Sequence, residues 1–114
     1  MHNFNYNSRQ FVGVENYDDG DLTGDTVFHY YQKDRVVWGT YEGGGVQFGT
    51  LIASMQNDGS LDMIWQYLSM SGEFVSGTCL SIPEVLPDGR YRLRESWKID
   101  SGESGTSVIE ETRP

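Results

Sequence analysis

The stretch "YEGGGVQFGT", residues 41–50, places four glycines among ten residues and decides between two kinds of fold. A phosphate-binding loop of the Walker or Rossmann type needs its glycines between a strand and a helix, so that backbone N–H groups point at the anion. Here the glycines lead into "VQFGTLIA", a run of strand formers, and Glu42 adds a negative charge that no Lys or Arg between Arg35 and Arg90 offsets. The stretch therefore indicates a hairpin, in which glycines permit positive φ at a sharp reversal and Gly49 lets the sheet coil at a barrel corner.

Similar clusters of turn-forming residues recur on both sides of this hairpin. Clusters such as "NDGS", "LPDG" and "SGESG" separate about eight strand-length runs that are rich in Val, Ile, Thr, Tyr, Phe and Trp. Consecutive strands joined by short turns form an antiparallel meander. A meander of this size avoids exposed edge strands when its first and last strands pair and close a barrel. The sequence therefore predicts an all-β fold, a single small antiparallel up-and-down β-barrel of about eight strands.

The segment from Ser60 to Gly72 fits two kinds of secondary structure. Apolar residues recur there at helical spacing, with Ser60 placed as an N-cap and Gly72 as a C-terminal stop. The apolar residues from Leu61 to Tyr67 also alternate at strand spacing, and both neighbouring segments have strand patterns. We predict a strand.

Length and charge narrow the classes of function. The 114 residues suit one domain, residues 1–114, of which 1–9 are expected to be a flexible N-terminal segment. Eight basic against seventeen acidic residues give a net charge of −9, which repels a phosphate backbone and makes nucleic acid an unsuitable partner. The absence of a basic and apolar leader or of a bilayer-length apolar stretch predicts a cytoplasmic protein that does not bind membranes.

Cysteine and histidine are scarce in this chain. The single cysteine, Cys79, has no partner for a disulfide and no second thiolate for a structural zinc site, and the absence of nearby basic residues favours an inert buried thiol. The two histidines, His2 and His29, do not have metal-ligand spacing. We expect no metal site and no cofactor.

Several runs of this sequence resemble a known family. The runs "VWGTYEGGGVQFGTLIA", "GTCLSIPE" from Gly77 to Glu84 and "LPDGRYRLRESW" from Leu86 to Trp97 resemble short bacterial proteins that often carry the label N-acetylglutamate synthase. The resemblance covers most of residues 26–111. It implies a single β-barrel-like domain of lipocalin-like proportions, without a demonstrated activity.

The acetyltransferase activity that this label names requires a loop for the CoA pyrophosphate. Such a loop has the pattern R/Q-x-x-G-x-G/A and leads from a strand into a helix. The nearest match is "QFVGVE", residues 10–15, which ends in glutamate and is followed by the turn-forming residues "NYDDGD". The motif is therefore absent, and acetyl-CoA is not an expected cofactor.

The run "RYRLRESWKI", residues 90–99, places one carboxylate among apolar side chains. Strand alternation puts Glu95 on the same face as Tyr91, Leu93 and Trp97, opposite a face of arginines and lysine. A buried carboxylate must be paired, hydrogen-bonded or protonated. Two interpretations remain open: a structural tie to a backbone or tyrosine partner, or a ligand contact or general acid/base.

Three hypotheses of function follow from a small closed barrel. The first is binding of a small organic ligand in a cavity. Seven Tyr, three Trp and five Phe can provide apolar walls, and the Tyr hydroxyls and Trp N–H groups can form hydrogen bonds with a ligand. The second is a homodimeric or protein-interaction module, because both faces of the hairpin from Thr26 to Tyr41 carry large apolar groups. The third is a small barrel enzyme that uses Glu95 with a tyrosine. The candidate ligand contacts are Tyr41, Trp65, Tyr67, Tyr91, Glu95, Trp97 and His29.

Overall fold

The computed structural model describes residues 4–15 and 21–113, which form one closed antiparallel barrel. Every strand pairs with its neighbours in sequence, and the last strand closes the barrel by pairing with the first. Among the described residues no helix is long and apolar enough to cross a bilayer. The eight strands are β1 Arg9–Glu15, β2 Val27–Lys33, β3 Val36–Gly43, β4 Val46–Met55, β5 Leu61–Ser69, β6 Phe74–Val85, β7 Tyr91–Ile99 and β8 Ser104–Glu111.

This architecture confirms the predicted fold class. The ambiguous segment is strand β5, which pairs along its whole length with β4 and β6, so tertiary pairing prevails over its helical spacing. The glycine-rich stretch is the β3–β4 hairpin, where Gly43 has φ 110° and Gly44 has φ 63°. Side chains at these two positions would be strained, which explains why glycines occupy the reversal.

One end of the barrel is sealed by the chain that precedes β1. Tyr6 is fully buried there, and its hydroxyl donates a hydrogen bond to the carbonyl oxygen of Gly59 at 2.6 Å. Phe4 packs edge-on against Tyr91 with 5.3 Å between ring centroids. Residues 4–9 therefore pack on the barrel, residues 1–3 lie outside the described residues, and the flexibility of the N-terminal segment 1–9 stays a prediction.

The half of the barrel next to this closed end is filled by apolar side chains. Fully buried residues from five strands meet there and leave the interior tightly packed. They are Phe11, Val37, Leu61, Leu93 and Ile109. The interior at the other end, where the β3–β4, β5–β6 and β7–β8 turns lie, is not filled in this way.

The outer surface of β2 to β5 carries a line of large apolar side chains. Cross-strand pairing aligns Tyr31 with Trp38, Trp38 with Ile52, and Ile52 with Ile64. All four side chains are exposed, and the rings of Tyr31 and Trp38 stack with centroids 6.1 Å apart. We refer to these four residues as the apolar row.

Candidate functional site

A cavity of about 940 Å³ occupies the interior at the open end of the barrel. Its mouth is formed by Asp21 and Leu22, which precede β2, and by Ser101 and Glu103 of the β7–β8 turn. Ligand pockets typically range from about 300 to 1,000 Å³, so the cavity is large enough for a small organic molecule.

Aromatic rings make up much of the cavity wall. The rings of Trp65 and Tyr67 stack with centroids 6.0 Å apart and planes 15° apart. Tyr67 also meets the ring of Tyr41 edge-on at 6.2 Å. The aromatic lining residues are Phe28, Tyr30, Tyr41, Trp65, Tyr67 and Trp97.

Three of these rings lie across the backbone of a glycine on the neighbouring strand. The register pairs Tyr41 with Gly49, Trp65 with Gly77 and Trp97 with Gly105. A Cβ atom at any of these glycines would approach the opposite ring to 2.6 Å or closer. The glycines therefore let the rings lie flat along the wall, so that the rings border the cavity rather than fill it. The close approach of the Tyr41 ring accounts for a glycine at position 49, and coiling of the sheet at this position stays a prediction.

Glu95 lies inside the barrel at the inner part of the cavity, with only 7% of its surface exposed. The Ser81 hydroxyl donates a hydrogen bond to Oε2 of Glu95 at 2.8 Å, and the Ser107 hydroxyl lies 3.5 Å from Oε1. Ser81 and Ser107 belong to β6 and β8, the two strands that flank β7. These contacts account for a carboxylate at a place where burial disfavours charge.

Burial keeps three other groups of the cavity neutral, the hydroxyls of Tyr41 and Tyr67 and the thiol of Cys79. It raises the pKa of Tyr41 above its usual range, with smaller contributions from Tyr67 and Glu95. The pKa of Tyr67 is raised by burial and by the hydrogen bond that its hydroxyl donates to Asp21 Oδ2 at 3.0 Å. Burial, followed by the Glu95 charge, raises the pKa of the Cys79 thiol, which therefore stays protonated and unreactive.

The charged side chains on the cavity wall are all acidic. In the part of the chain that the structure describes, the lining contains Asp21, Glu95 and Glu103 but no Lys, Arg or His. Residues 4–15 and 21–113 also contain no group of three or more His, Cys, Asp or Glu placed to hold a metal ion.

Five of the seven candidate ligand contacts come together on this wall, and two do not. The five are Tyr41, Trp65, Tyr67, Glu95 and Trp97. His29 points outward, because the alternation of β2 directs Phe28 and Tyr30 inward, and its Nε2 lies 3.4 Å from Oε1 of Glu42. Tyr91 is buried under the closed end, where Arg9 lies 3.8 Å over its ring, so neither residue contributes to the cavity.

The partners of Glu95 and the acidic residues at the mouth were not predicted from the sequence. Ser81 shares the inward face of β6 with Cys79, and this parity was a usable signal. Ser107 lies opposite Glu95 only because of the β7–β8 register, which the sequence does not specify. Asp21 and Glu103 occur in turns, where acidic residues are common without any site.

Closed eight-stranded up-and-down barrels that can hold a small ligand inside form a class that includes the lipocalins and streptavidin. The barrel and its one-ended cavity place this protein in that class. Within it, the sequence profile of the family described as avidin-like protein matches residues 4–112, and the chain belongs to this family. Comparison with curated proteins and with solved structures returns no significant match.

Proposed function

We propose that the protein binds one small organic molecule in the cavity at the open end of the barrel. The observation that carries this proposal is the cavity itself, about 940 Å³ with aromatic walls and the buried carboxylate of Glu95. Ligand sites generally combine such apolar walls with a few fixed polar groups. Membership of the avidin-like family supports the same function.

The cavity wall is held in place before any ligand arrives. The Tyr41 hydroxyl donates a hydrogen bond to the Gln66 carbonyl at 2.9 Å, and the Trp65 Nε1–H donates to the Thr78 carbonyl at 3.1 Å. A ligand that enters a preorganised wall loses little free energy to ordering of side chains, which favours affinity.

A thermal-shift screen of a metabolite library, followed by calorimetry, tests this proposal. Biotin belongs in the library because the related barrel streptavidin binds it. A ligand that binds only the folded state raises the melting temperature by an amount that grows with the logarithm of its concentration relative to Kd. Hits are expected among small molecules with apolar bodies.

A matched pair of variants locates the binding. Leu51 is buried on the cavity wall, and its neighbour Ile52 points outward. Leu51→Trp should fill the cavity and abolish binding, while Ile52→Trp should keep it. A library without any hit, or a hit that Leu51→Trp binds as tightly as the unmodified protein does, would contradict cavity binding.

Acetyl-CoA and glutamate serve as the comparison with the enzyme hypothesis. Because the CoA-pyrophosphate motif is absent from "QFVGVE", residues 10–15, we expect neither tight binding of acetyl-CoA nor glutamate-dependent release of CoA. Stoichiometric acetyl-CoA binding in calorimetry together with CoA release would favour catalysis instead.

A further inference from the structure

We infer that the cavity selects a cationic organic ligand, an ammonium group carried on an apolar or aromatic body, and excludes anionic ligands. This inference rests on the proposed function and adds the chemical class of the ligand to it. Three features of the cavity carry it: the buried carboxylate, the sign of the charges at the mouth and the aromatic rings on the wall.

The buried carboxylate belongs to Glu95. It is 7% exposed and lines the cavity, and the hydroxyls of Ser81 and Ser107 hold it at 2.8 Å and 3.5 Å. Hydroxyl donors orient a carboxylate, whose two oxygens together offer about four acceptor sites for hydrogen bonds. An ammonium group on the ligand adds a charge-assisted hydrogen bond in a place that excludes water, where such bonds are strongest.

The charges at the mouth have the same sign as Glu95. Asp21 is oriented by the hydrogen bond that it accepts from the Tyr67 hydroxyl at 3.0 Å, and Glu103 lies on the β7–β8 turn. Within residues 4–15 and 21–113, no basic side chain lines the cavity. A cleft lined by one sign of charge attracts ligands of the opposite sign, and the net charge of −9 acts in the same direction.

The aromatic faces provide a second kind of contact for a cation. Trp65 and Tyr67 stack nearly parallel, 15° apart, and both line the cavity together with Tyr41 and Trp97. Cations are attracted to the faces of such rings, most strongly to tryptophan, and the attraction grows when water is excluded.

Anionic ligands are expected to be repelled by the acidic side chains of the cavity. A ligand carboxylate would have to pass Asp21 and Glu103 and then approach Glu95 without a basic partner on the described wall. Like charges placed close together across an interface strongly oppose binding. Molecules that end in a free carboxylate, biotin included, are therefore expected to bind more weakly than their neutral amides.

Probes that share one body and differ in charge test this inference. We choose tryptamine, indole-3-acetamide and indole-3-acetate, together with phenethylamine, phenylacetamide and phenylacetate, measured by calorimetry at pH 7. The amine of each set should bind about tenfold or more tightly than its amide, which is the range for a hydrogen bond to a charged group. The two carboxylates should show no measurable binding.

Variants of single carboxylates identify the groups responsible. Glu95→Gln should weaken amine binding by about tenfold and change amide binding by less than about twofold, because the shape of the side chain is kept and its charge is removed. Glu103→Gln, in an exposed turn, provides a second test that does not disturb the interior and should weaken amine binding by a smaller factor. Glu73→Gln, an equal change of net charge in the exposed β5–β6 turn outside the lining, is the control and should have no effect.

The outcomes separate this inference from the proposed function. Failure of both amines to bind, equal binding of amine and carboxylate, or an amine affinity unchanged in both Glu95→Gln and Glu103→Gln would overturn the charge selection. An anionic library ligand whose binding is abolished by Leu51→Trp would also overturn the charge selection. The same result would support binding in the cavity. If no ligand of any charge binds, both ideas fail.

Discussion

Glu95 shows how much strand alternation reveals about a single residue. Its inward direction was predicted from its position between Leu93 and Trp97, and the structure places it inside with 7% exposure. Strand alternation could have placed Ser81 on the inward face, but the pairing of Ser81 and Ser107 with Glu95 could not be predicted, because strand register depends on turn lengths and on closure of the barrel. A role for Glu95 in binding stays a prediction.

Two substitutions at this position separate shape from hydrogen bonding. Glu95→Leu should lower the free energy of unfolding by about 1–3 kcal/mol, because it leaves the buried Ser81 hydroxyl without its acceptor. Glu95→Gln retains an acceptor oxygen and should lower it by less than about 1 kcal/mol. Urea denaturation monitored by tryptophan fluorescence measures both changes.

The comparison between the two variants is the informative result. Equal losses in Gln and Leu would mean that the charge itself stabilises the fold, contrary to an interpretation based on hydrogen bonds. A more stable Leu variant would show that the Ser81 contact contributes nothing net, as happens when a buried polar group is replaced by a well-packed apolar one.

Cross-strand pairing of tryptophans with glycines explains why the cavity is open. The strand runs were evident in the sequence, but the pairing of Trp65 with Gly77 and of Trp97 with Gly105 follows from register and was not predicted. A glycine inside a strand weakens it in isolation, so its presence at two such positions indicates a close approach by another group. Here the group is an indole ring.

The pair formed by Trp97 and Gly105 can be tested by a double-mutant cycle. A Cβ at Gly105 would lie 2.6 Å from the Trp97 ring, so Gly105→Ala should destabilise the protein by about 1–3 kcal/mol through overpacking. In a Trp97→Leu background the same change should be nearly neutral or stabilising, because alanine restricts the unfolded chain. Chemical denaturation of the four proteins gives the coupling energy, expected to be about 1 kcal/mol or more.

Additive effects in this cycle would contradict the packing of the ring on the glycine. They would mean that the indole moves away without loss of stability.

At the scale of the whole molecule, the apolar row raises the question of assembly. Tyr31, Trp38, Ile52 and Ile64 form a line across four strands on the outer surface. Exposed apolar patches of this kind often mark interfaces, and self-complementary faces give symmetric dimers. The structure settles which hairpin face points outward, with Tyr31 and Trp38, but a homodimer stays a prediction.

Light scattering coupled to size exclusion tests this prediction. We expect a dimer at micromolar concentration that Trp38→Lys and Ile52→Lys convert to monomer without a change in ligand binding. Phe74→Lys, at an exposed side chain outside the row, is the control and should remain dimeric. A monomer at all concentrations up to the millimolar range would remove the homodimer.

The overall fold was more accessible from the sequence than the site. Even turn spacing and strand-length apolar runs predicted eight strands and a closed barrel, because those signals are local. The position of the cavity was not predicted, because it depends on which end is sealed. The seal comes from Phe4 and Tyr6, aromatic residues in a segment without strand alternation that was expected to be flexible.

The two ends of the described chain leave the barrel at the sealed end. The Arg9 guanidinium lies 2.7 Å from Glu111, and the Thr112 amide donates to the Gln10 carbonyl at 2.8 Å, so the start of β1 and the finish of β8 lie side by side. A fusion partner, a surface tether or a neighbouring domain joined at either terminus would therefore be attached opposite the mouth of the cavity. The protein could be immobilised through its termini as an array or sensor element with every mouth facing solution.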